Sequence, residues 1–338
     1  MVAPEPSGVT LEIHYNVYGC FRDPRADIEL AKEAVNAGFE GIWIGDHFHP
    51  WIDSRPYTHH VFPWFGTLMS EIPDVPVGTS VTCPMLRYRP PLLAQAVATL
   101  DSMYPGRFHL GVGVGEALNE AQFVEEYPGW DERAEMMIEA LELMDRLWTA
   151  DSYVRHHGTH FEYDLLKLYT PPKEEITVHW AAWGPKSCRY AGTHADHLIT
   201  ASSAETIADR IVPNYEEGLE AAGRSLSDVD VTTEAAINVG DPAELVATVR
   251  ERGEHIPTQE RYNPDPRSIQ RVATTELAGM SDREIREAQG ITDDPDDVIE
   301  RLQALDEAGV TRVLVGTNVG DPRETIRTFE ESVFPSFG

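Results

Sequence analysis

The sequence predicts an α/β protein: a (β/α)8 TIM barrel, with a doubly wound open sheet as the weaker alternative. Three observations carry this. Short apolar runs of strand length alternate with helical stretches along most of the chain, the mark of repeated βα units around a buried parallel sheet. About eight such units can be counted, the number a closed barrel of this class needs. The length, 338 residues, suits one barrel with insertions, so residues 1–338 read as a single domain.

The elements follow in order. Residues 9–17 alternate apolar and polar positions and read as the first strand. Asp23-Pro24 opens a helix that runs to about residue 36, because an acceptor side chain at the cap and a proline in the first turn suit a helix start. Gly38 closes it. Residues 39–45 and 75–81 are apolar strands of buried type. A helix over 92–103 leads to a strand at 107–112, and 131–148 forms a long amphipathic helix. Aromatic alternation across 153–169 marks an inserted hairpin, about 153–170. Then come strand 177–182, helix 186–192, strand 197–201, helix 204–222 and strand 229–237. The polar stretch 254–290, rich in arginine and proline, reads as a second insertion near the site. Helix 295–308, strand 312–315 and helix 322–333 complete the pattern.

Composition excludes several classes of function. The chain carries 57 Asp+Glu against 27 Lys+Arg, a net charge of −30. Lysine occurs only at Lys32, Lys167, Lys173 and Lys186. Such a surface repels phosphate backbones and anionic lipid, so neither nucleic acid nor a membrane is an expected partner. It also repels itself, and concentrated salt screens that repulsion, which points to a halophilic protein. With 41% hydrophobic residues the chain can bury a large core. No run approaches ~18 apolar residues, the length of a membrane-spanning helix. The first residues lack the pattern of a secretory leader. Cys20, Cys83 and Cys188 are odd in number and widely spaced, fitting reduced thiols. A cytoplasmic location is expected.

Barrel active sites are built from the loops that follow the strands, and five unusual segments fall there. The first is Gly45-Asp46-His47-Phe48-His49-Pro50-Trp51. His47 could take a proton from a hydroxyl or pack as a structural ring; Asp46 could bind a ligand or cap the next element. Trp51 alone reads as packing. The second, Gly78-Thr79-Ser80-Val81-Thr82-Cys83-Pro84, could form a bulge against a flat ring or a plain strand end. The third runs from Gly111 through Gly113 and Gly115 to Glu116, Asn119 and Glu120. Alternating glycines between strand and helix expose N–H groups for an anion. The glycine spacing of a dinucleotide fold is absent, which argues against a nicotinamide site. Glu116 is placed to act as an acid or a ligand contact. The fourth, Ala181-Ala182-Trp183-Gly184-Pro185-Lys186, again suits an anion at a helix start, and the fifth, Thr200-Ala201-Ser202-Ser203, offers hydroxyls. His156, His157 and His160 lie in the predicted hairpin without a cysteine among them, so no metal is expected. His59-His60 is a loop pair beside the Asp46 segment.

The runs Asp46–Trp51, Thr79–Pro84 and Gly113–Glu120 resemble the deazaflavin-dependent branch of the luciferase-like superfamily. Over roughly residues 10–205 the likeness is to its F420-dependent glucose-6-phosphate and secondary-alcohol dehydrogenases. From about residue 216, Glu220-Ala221-Ala222-Gly223-Arg224-Ser225 and the stretch from Ala308 to Gly320 resemble its methylenetetrahydromethanopterin reductases. The resemblance implies a bacterial-luciferase-like barrel, coenzyme F420 in preference to FMN, a small-molecule substrate and a homodimer. It implies that Asp46 bonds the deazaflavin ring, with Cys83 nearby. Ser80-Val81 would form a non-proline cis peptide behind the ring. Gly113, Gly115, Asn119, Trp183 and Gly184 would hold the coenzyme tail. His47 would accept the substrate hydroxyl proton, Trp51 would cover the reacting centre, and Glu116 would serve the ring. The expected activity is hydride transfer from an alcohol or sugar-type hydroxyl. A pterin or folate reductase, a glucose-6-phosphate dehydrogenase, an FMN-dependent monooxygenase and a non-catalytic binding relative are the alternatives. Two departures stand out. Cys20 occupies the place of a family glutamate, and no cation follows the sixth strand before Arg210. A phosphorylated substrate would then need Arg261, Arg267 or Arg271, since burying an unpaired phosphate is costly.

Overall fold

The computed structural model describes residues 11–257, 260 and 262–337. Eight strands close into a parallel barrel: Glu12–Asn16 (β1), Ile42–Ile44 (β2), Val77–Thr79 (β3), Phe108–Val112 (β4), Thr177–Ala181 (β5), His197–Thr200 (β6), Val231–Ala236 (β7) and Arg312–Gly316 (β8). β8 pairs with both β1 and β7, which closes the ring and excludes the open sheet. Most strands are shorter than the apolar runs that encode them, because those runs continue into the flanking loops; β8 is one residue longer than its run. The start of the first predicted strand, before residue 11, lies outside the described residues.

Inside the barrel Trp43 packs with Ala181, Ile199 and Leu314. Gly78 makes room for it, since a Cβ there would lie 2.6 Å from the indole. Around Trp43 sit His14, His109 and His179, and the His197 ring lies tilted 4.8 Å from that of His179. Trp43 Nε1 donates to His14 Nδ1 at 2.9 Å, and His109 Nδ1 lies 3.0 Å from His179 Nε2. Burial pushes His109 down to about 3, so these rings are neutral core residues.

Helix Pro24–Ala37 begins where the sequence places it: the Asp23 side chain accepts from the N–H groups of Arg25 and Ala26, and Gly38 closes it at φ 112°. Helix Trp130–Thr149 matches the long amphipathic stretch. Residues 204–222 form a helix broken by a wide turn at Ile207–Ile211, just before Pro213, where the missing N–H disturbs the regular ladder. Helix Val61–Glu71 carries no clear sequence signal. It holds Pro63 and Gly66, residues that more often mark turns, although its buried residues Val61, Phe62, Trp64, Phe65, Leu68 and Met69 fall on one helical face. Helix Pro242–Arg252 likewise lacks a sequence-level assignment.

Val154–His157 and Glu162–Leu166 pair antiparallel as a hairpin between β4 and β5. The stretch 254–290 contains helices Pro266–Gly279 and Asp282–Gln289. They share a small core with helix Pro242–Arg252, through Leu245, Val249, Leu277 and Ile285. Arg55, in the loop after β2, pairs with Glu254 at 2.8 Å, and both side chains are buried. That pair ties the insertion to the barrel mouth.

Candidate active site

The loops after the strands converge over the mouth of the barrel. A cavity of about 670 Å³ is lined by Asp46, His47 and Trp51 after β2, and by Ser80, Val81 and Cys83 after β3. Gly113, Gly115, Glu116 and Asn119 after β4, with Trp183 and Gly184 after β5, complete its walls. The site residues expected from the sequence therefore face one space. A second cavity of about 350 Å³ takes in Cys20, Arg55, Glu254 and Gln289. His47, Trp51, Ser80 and Glu234 line both cavities and form the wall where they meet.

Asn119 organises the β2 side of this wall. Its Oδ1 accepts from the backbone N–H groups of Phe48 and His49 at 2.8 and 3.1 Å. The amide orientation is thereby set, and its NH2 faces His47 Nδ1 at 3.1 Å and Glu116 Oε2 at 3.2 Å. A ring nitrogen that receives an N–H cannot carry its own proton, so the neutral His47 ring bears its hydrogen on Nε2. Burial pushes His47 down to about 4, which keeps it neutral near pH 7. The Trp51 ring centroid lies 6.2 Å from that of His47. Trp51 also packs against Ile52, Leu118 and Ile269, so the insertion helix Pro266–Gly279 supports it.

Asp46 is buried and held by three donors. Thr82 Oγ1 donates at 3.0 Å, Tyr88 Oη at 3.3 Å, and Arg87 Nη2 stands 3.0 Å from Oδ1. Beside it, burial pushes Glu120 up to about 7 against the opposing pull of Arg87. Burial raises the Cys83 thiol, so it lines the cavity as a neutral group. The Ser80–Val81 peptide is cis. Ser80 Oγ accepts from Asn16 Nδ2 at 3.3 Å and hydrogen-bonds the Glu234 carboxylate.

At the far end of the larger cavity, helix Pro185–His194 begins behind Gly184 with no side chain capping its N–H groups. A Cβ on Gly184 would meet only open space. Free N–H groups at a helix start attract an anion, and Lys186, paired with Asp131 at 2.6 Å, adds a cation at the rim. The cavity thus fits a flat-ringed coenzyme with an anionic tail.

The remaining candidates fall elsewhere. His156 pairs with Glu139 at 2.9 Å, and His60 Nε2 lies 3.4 Å from Tyr88 Oη. Arg267 pairs with Asp265 at the surface and Arg271 is exposed; neither lines the two cavities, and Arg261 lies outside the described residues. Arginines at the site come instead from a third cavity of about 700 Å³, lined by Arg283, Arg286, Arg301, Ser202, Ser203 and Glu234. Cys20 is buried, with its Sγ 3.4 Å from Arg55 Nη1. Sequence reasoning does not single out Arg55, Arg87, Glu234 or Glu254. The available signal for Glu234 was one charge inside the otherwise uncharged strand Val231–Ala236, a rare placement for an unpaired carboxylate.

The luciferase-like monooxygenase family model matches residues 6–312. The chain belongs to the luciferase-like family. This luciferase-like chain is 31% identical over 322 residues to the F420-dependent glucose-6-phosphate dehydrogenase of Gordonia bronchialis, covering 93% of each. It is 32% identical over 319 residues to the enzyme of that name from Rhodococcus erythropolis, covering 92% of this chain and 93% of the other. Among solved structures it is similar to an F420-dependent secondary alcohol dehydrogenase in complex with an F420-acetone adduct. The TM-score is 0.88 at 30% identity, covering 97% of this chain and 99% of that one. The coenzyme F420-dependent tetrahydromethanopterin reductase of Methanopyrus kandleri shares the fold, with a TM-score of 0.74 at 23% identity, over 98% of this chain and 100% of that one.

Proposed function

We propose that this chain is a coenzyme F420-dependent dehydrogenase that moves a hydride between a hydroxyl-bearing carbon and the deazaflavin. The observation that carries it is the shared wall of His47, Trp51, Ser80 and Glu234 between a coenzyme-sized cavity and a smaller one. A substrate in the smaller cavity would meet the ring at that wall. The F420-dependent relatives support the choice of coenzyme. When bound, the coenzyme would supply a hydride acceptor or donor at that wall. In this reading Ser80 and Val81 back the ring, Asp46 and Cys83 border it, and Gly113, Gly115, Asn119, Trp183 and Gly184 follow the tail. His47 bonds the substrate oxygen, Trp51 excludes water, and Glu116 faces the ring edge.

The substrate is an alcohol or sugar-type hydroxyl compound. An anionic one, such as a sugar phosphate, is a second reading, favoured by Arg286 and Arg301 in the third cavity, which opens beside Glu234. We also take the chain to act as a homodimer in a salt-rich cytoplasm, the first from its resemblance to the family, the second from its acidic composition. The test is a fluorescence titration with F420 and with FMN in concentrated salt, followed by coenzyme reduction assays with secondary alcohols and sugar phosphates. F420 is expected to bind and to be reduced by a hydroxyl substrate. Tight FMN binding without F420 binding would overturn the reading.

A further inference from the structure

His47 and Glu234 are both proton-exchanging groups on the wall between the two cavities. They differ in what they can do with a hydroxyl. The Asn119 NH2 faces His47 Nδ1, and its oxygen is tied to two backbone N–H groups. The ring therefore offers Nε2–H, a donor. Taking a proton at Nε2 would require Nδ1–H pointed at the Asn119 NH2, two donors face to face with neither satisfied. We propose that Glu234 takes the substrate hydroxyl proton, while His47 holds the substrate oxygen through Nε2–H.

The inference rests on the dehydrogenase reading above. Its geometry is independent of any relative. Glu234 sits on β7 and lines all three cavities at the mouth. In the loop after β1, Cys20 lies against Arg55. The groups around Glu234 leave its carboxylate without a cation of its own. Ser80 hydrogen-bonds it. Arg55 is engaged by Glu254 at 2.8 Å, and Arg301 Nη1 donates to the Ala236 carbonyl at 2.7 Å. Tyr18, His47 and Arg286 face the same cavities. Burial raises Glu234 to about 7 against the Ser80 bond, so it can both accept and release a proton near neutrality.

The step balances. The substrate C–H bond breaks and its electron pair leaves with the hydride for the coenzyme. The O–H bond breaks and its proton goes to a Glu234 carboxylate oxygen, as the C=O bond forms. In the reverse direction the protonated Glu234 returns the proton to the carbonyl oxygen.

Wild-type protein and Glu234→Gln, compared in concentrated salt, test this. In the oxidation direction the wild-type rate should rise with pH through about 7, as the carboxylate ionises. E234Q should lose about 10²–10⁴ in kcat and lose that limb, with unchanged coenzyme affinity by fluorescence. E234D, which restores a carboxylate, should recover the limb. Selective ¹⁵N NMR of His47 in the free protein should show the Nε2–H tautomer, a reading that needs neither variant nor turnover. Turnover of E234Q within about threefold of wild type with the limb intact, or an Nδ1–H tautomer at His47, would refute the proposal. A wild-type protein that binds the coenzyme yet oxidises no hydroxyl compound defeats the dehydrogenase reading instead.

Discussion

At Asn119 one amide oxygen receives two backbone N–H groups, and one NH2 is shared between His47 and Glu116. A single side chain thus sets the proton position on His47 and joins two loops, after β2 and after β4. Asn119→Asp keeps an acceptor for the backbone and replaces the NH2 by a negatively charged acceptor. His47 Nδ1 would then donate, and the imidazolium would gain a partner. We expect its pKa to rise from about 4 by about 1–3 pH units, read by NMR titration. An unmoved value would mean that Asn119 does not govern the ring. The sequence marks Asn119 as a loop residue near a glycine run, but the identity of its four partners depends on two loops meeting. The same holds for Arg55 and Glu254, 199 positions apart and buried together. Removing one partner of such a pair leaves a buried charge alone, a loss of about 3–5 kcal/mol.

Among the elements, helix Pro185–His194 has two tasks. Its start faces the cavity lined by Asp46 and Ser80, and its middle lies close against helix Val212–Ala221. Gly192 and Gly218 permit that approach: a Cβ on Gly192 would lie 2.6 Å from the Tyr215 carbonyl, and one on Gly218 would collide with the Arg189 carbonyl. Backbone cannot step aside as a side-chain tip can. Gly218→Ala should therefore lower stability by about 1–3 kcal/mol in denaturant titrations run at high salt. Gly184→Ala, facing open space, should stay within about 0.5 kcal/mol of wild type. Equal stability of the two variants would show that the helices can separate freely. Helix Pro24–Ala37 was legible because its signals are local: a capping aspartate, a proline and a closing glycine. Helix Val61–Glu71 was not, since Pro63 and Gly66 place turn-type residues inside it and no side chain caps its start.

For the whole molecule, the imbalance of 57 acids to 27 bases leaves many carboxylates without a cation. The surface cations are drawn into clusters: Arg25 and Lys32 both reach Glu29 and Glu71, and Arg323 reaches Glu33. Exposed pairs of this kind contribute about 0–1 kcal/mol each, too little to offset the repulsion of the remaining charge in dilute buffer. The barrel should hold at multimolar salt and lose secondary structure by circular dichroism when salt is dialysed away. A spectrum unchanged at low salt would remove the halophilic reading. No helix among the described residues is long and apolar enough to cross a membrane.

The sequence by itself determined an α/β chain of about eight βα units, the order of most of its strands and helices, and the loops that line the cavity at Asp46 and Ser80. Those features are written in short-range signals: strand and helix periods, caps, and glycines between a strand and a helix. The closure of the ring came from the pairing of β8 with β1 and β7. Tertiary structure alone decided which nitrogen of His47 bears the proton, which arginines reach the mouth, and that Glu234 faces all three cavities. Whether a strand residue points into the mouth depends on the tilt and register of the closed barrel. Burial then raises Glu234 to about 7. A lone glutamate between Thr233 and Ala235 carries neither fact in the sequence, because both come from what the other strands place around it.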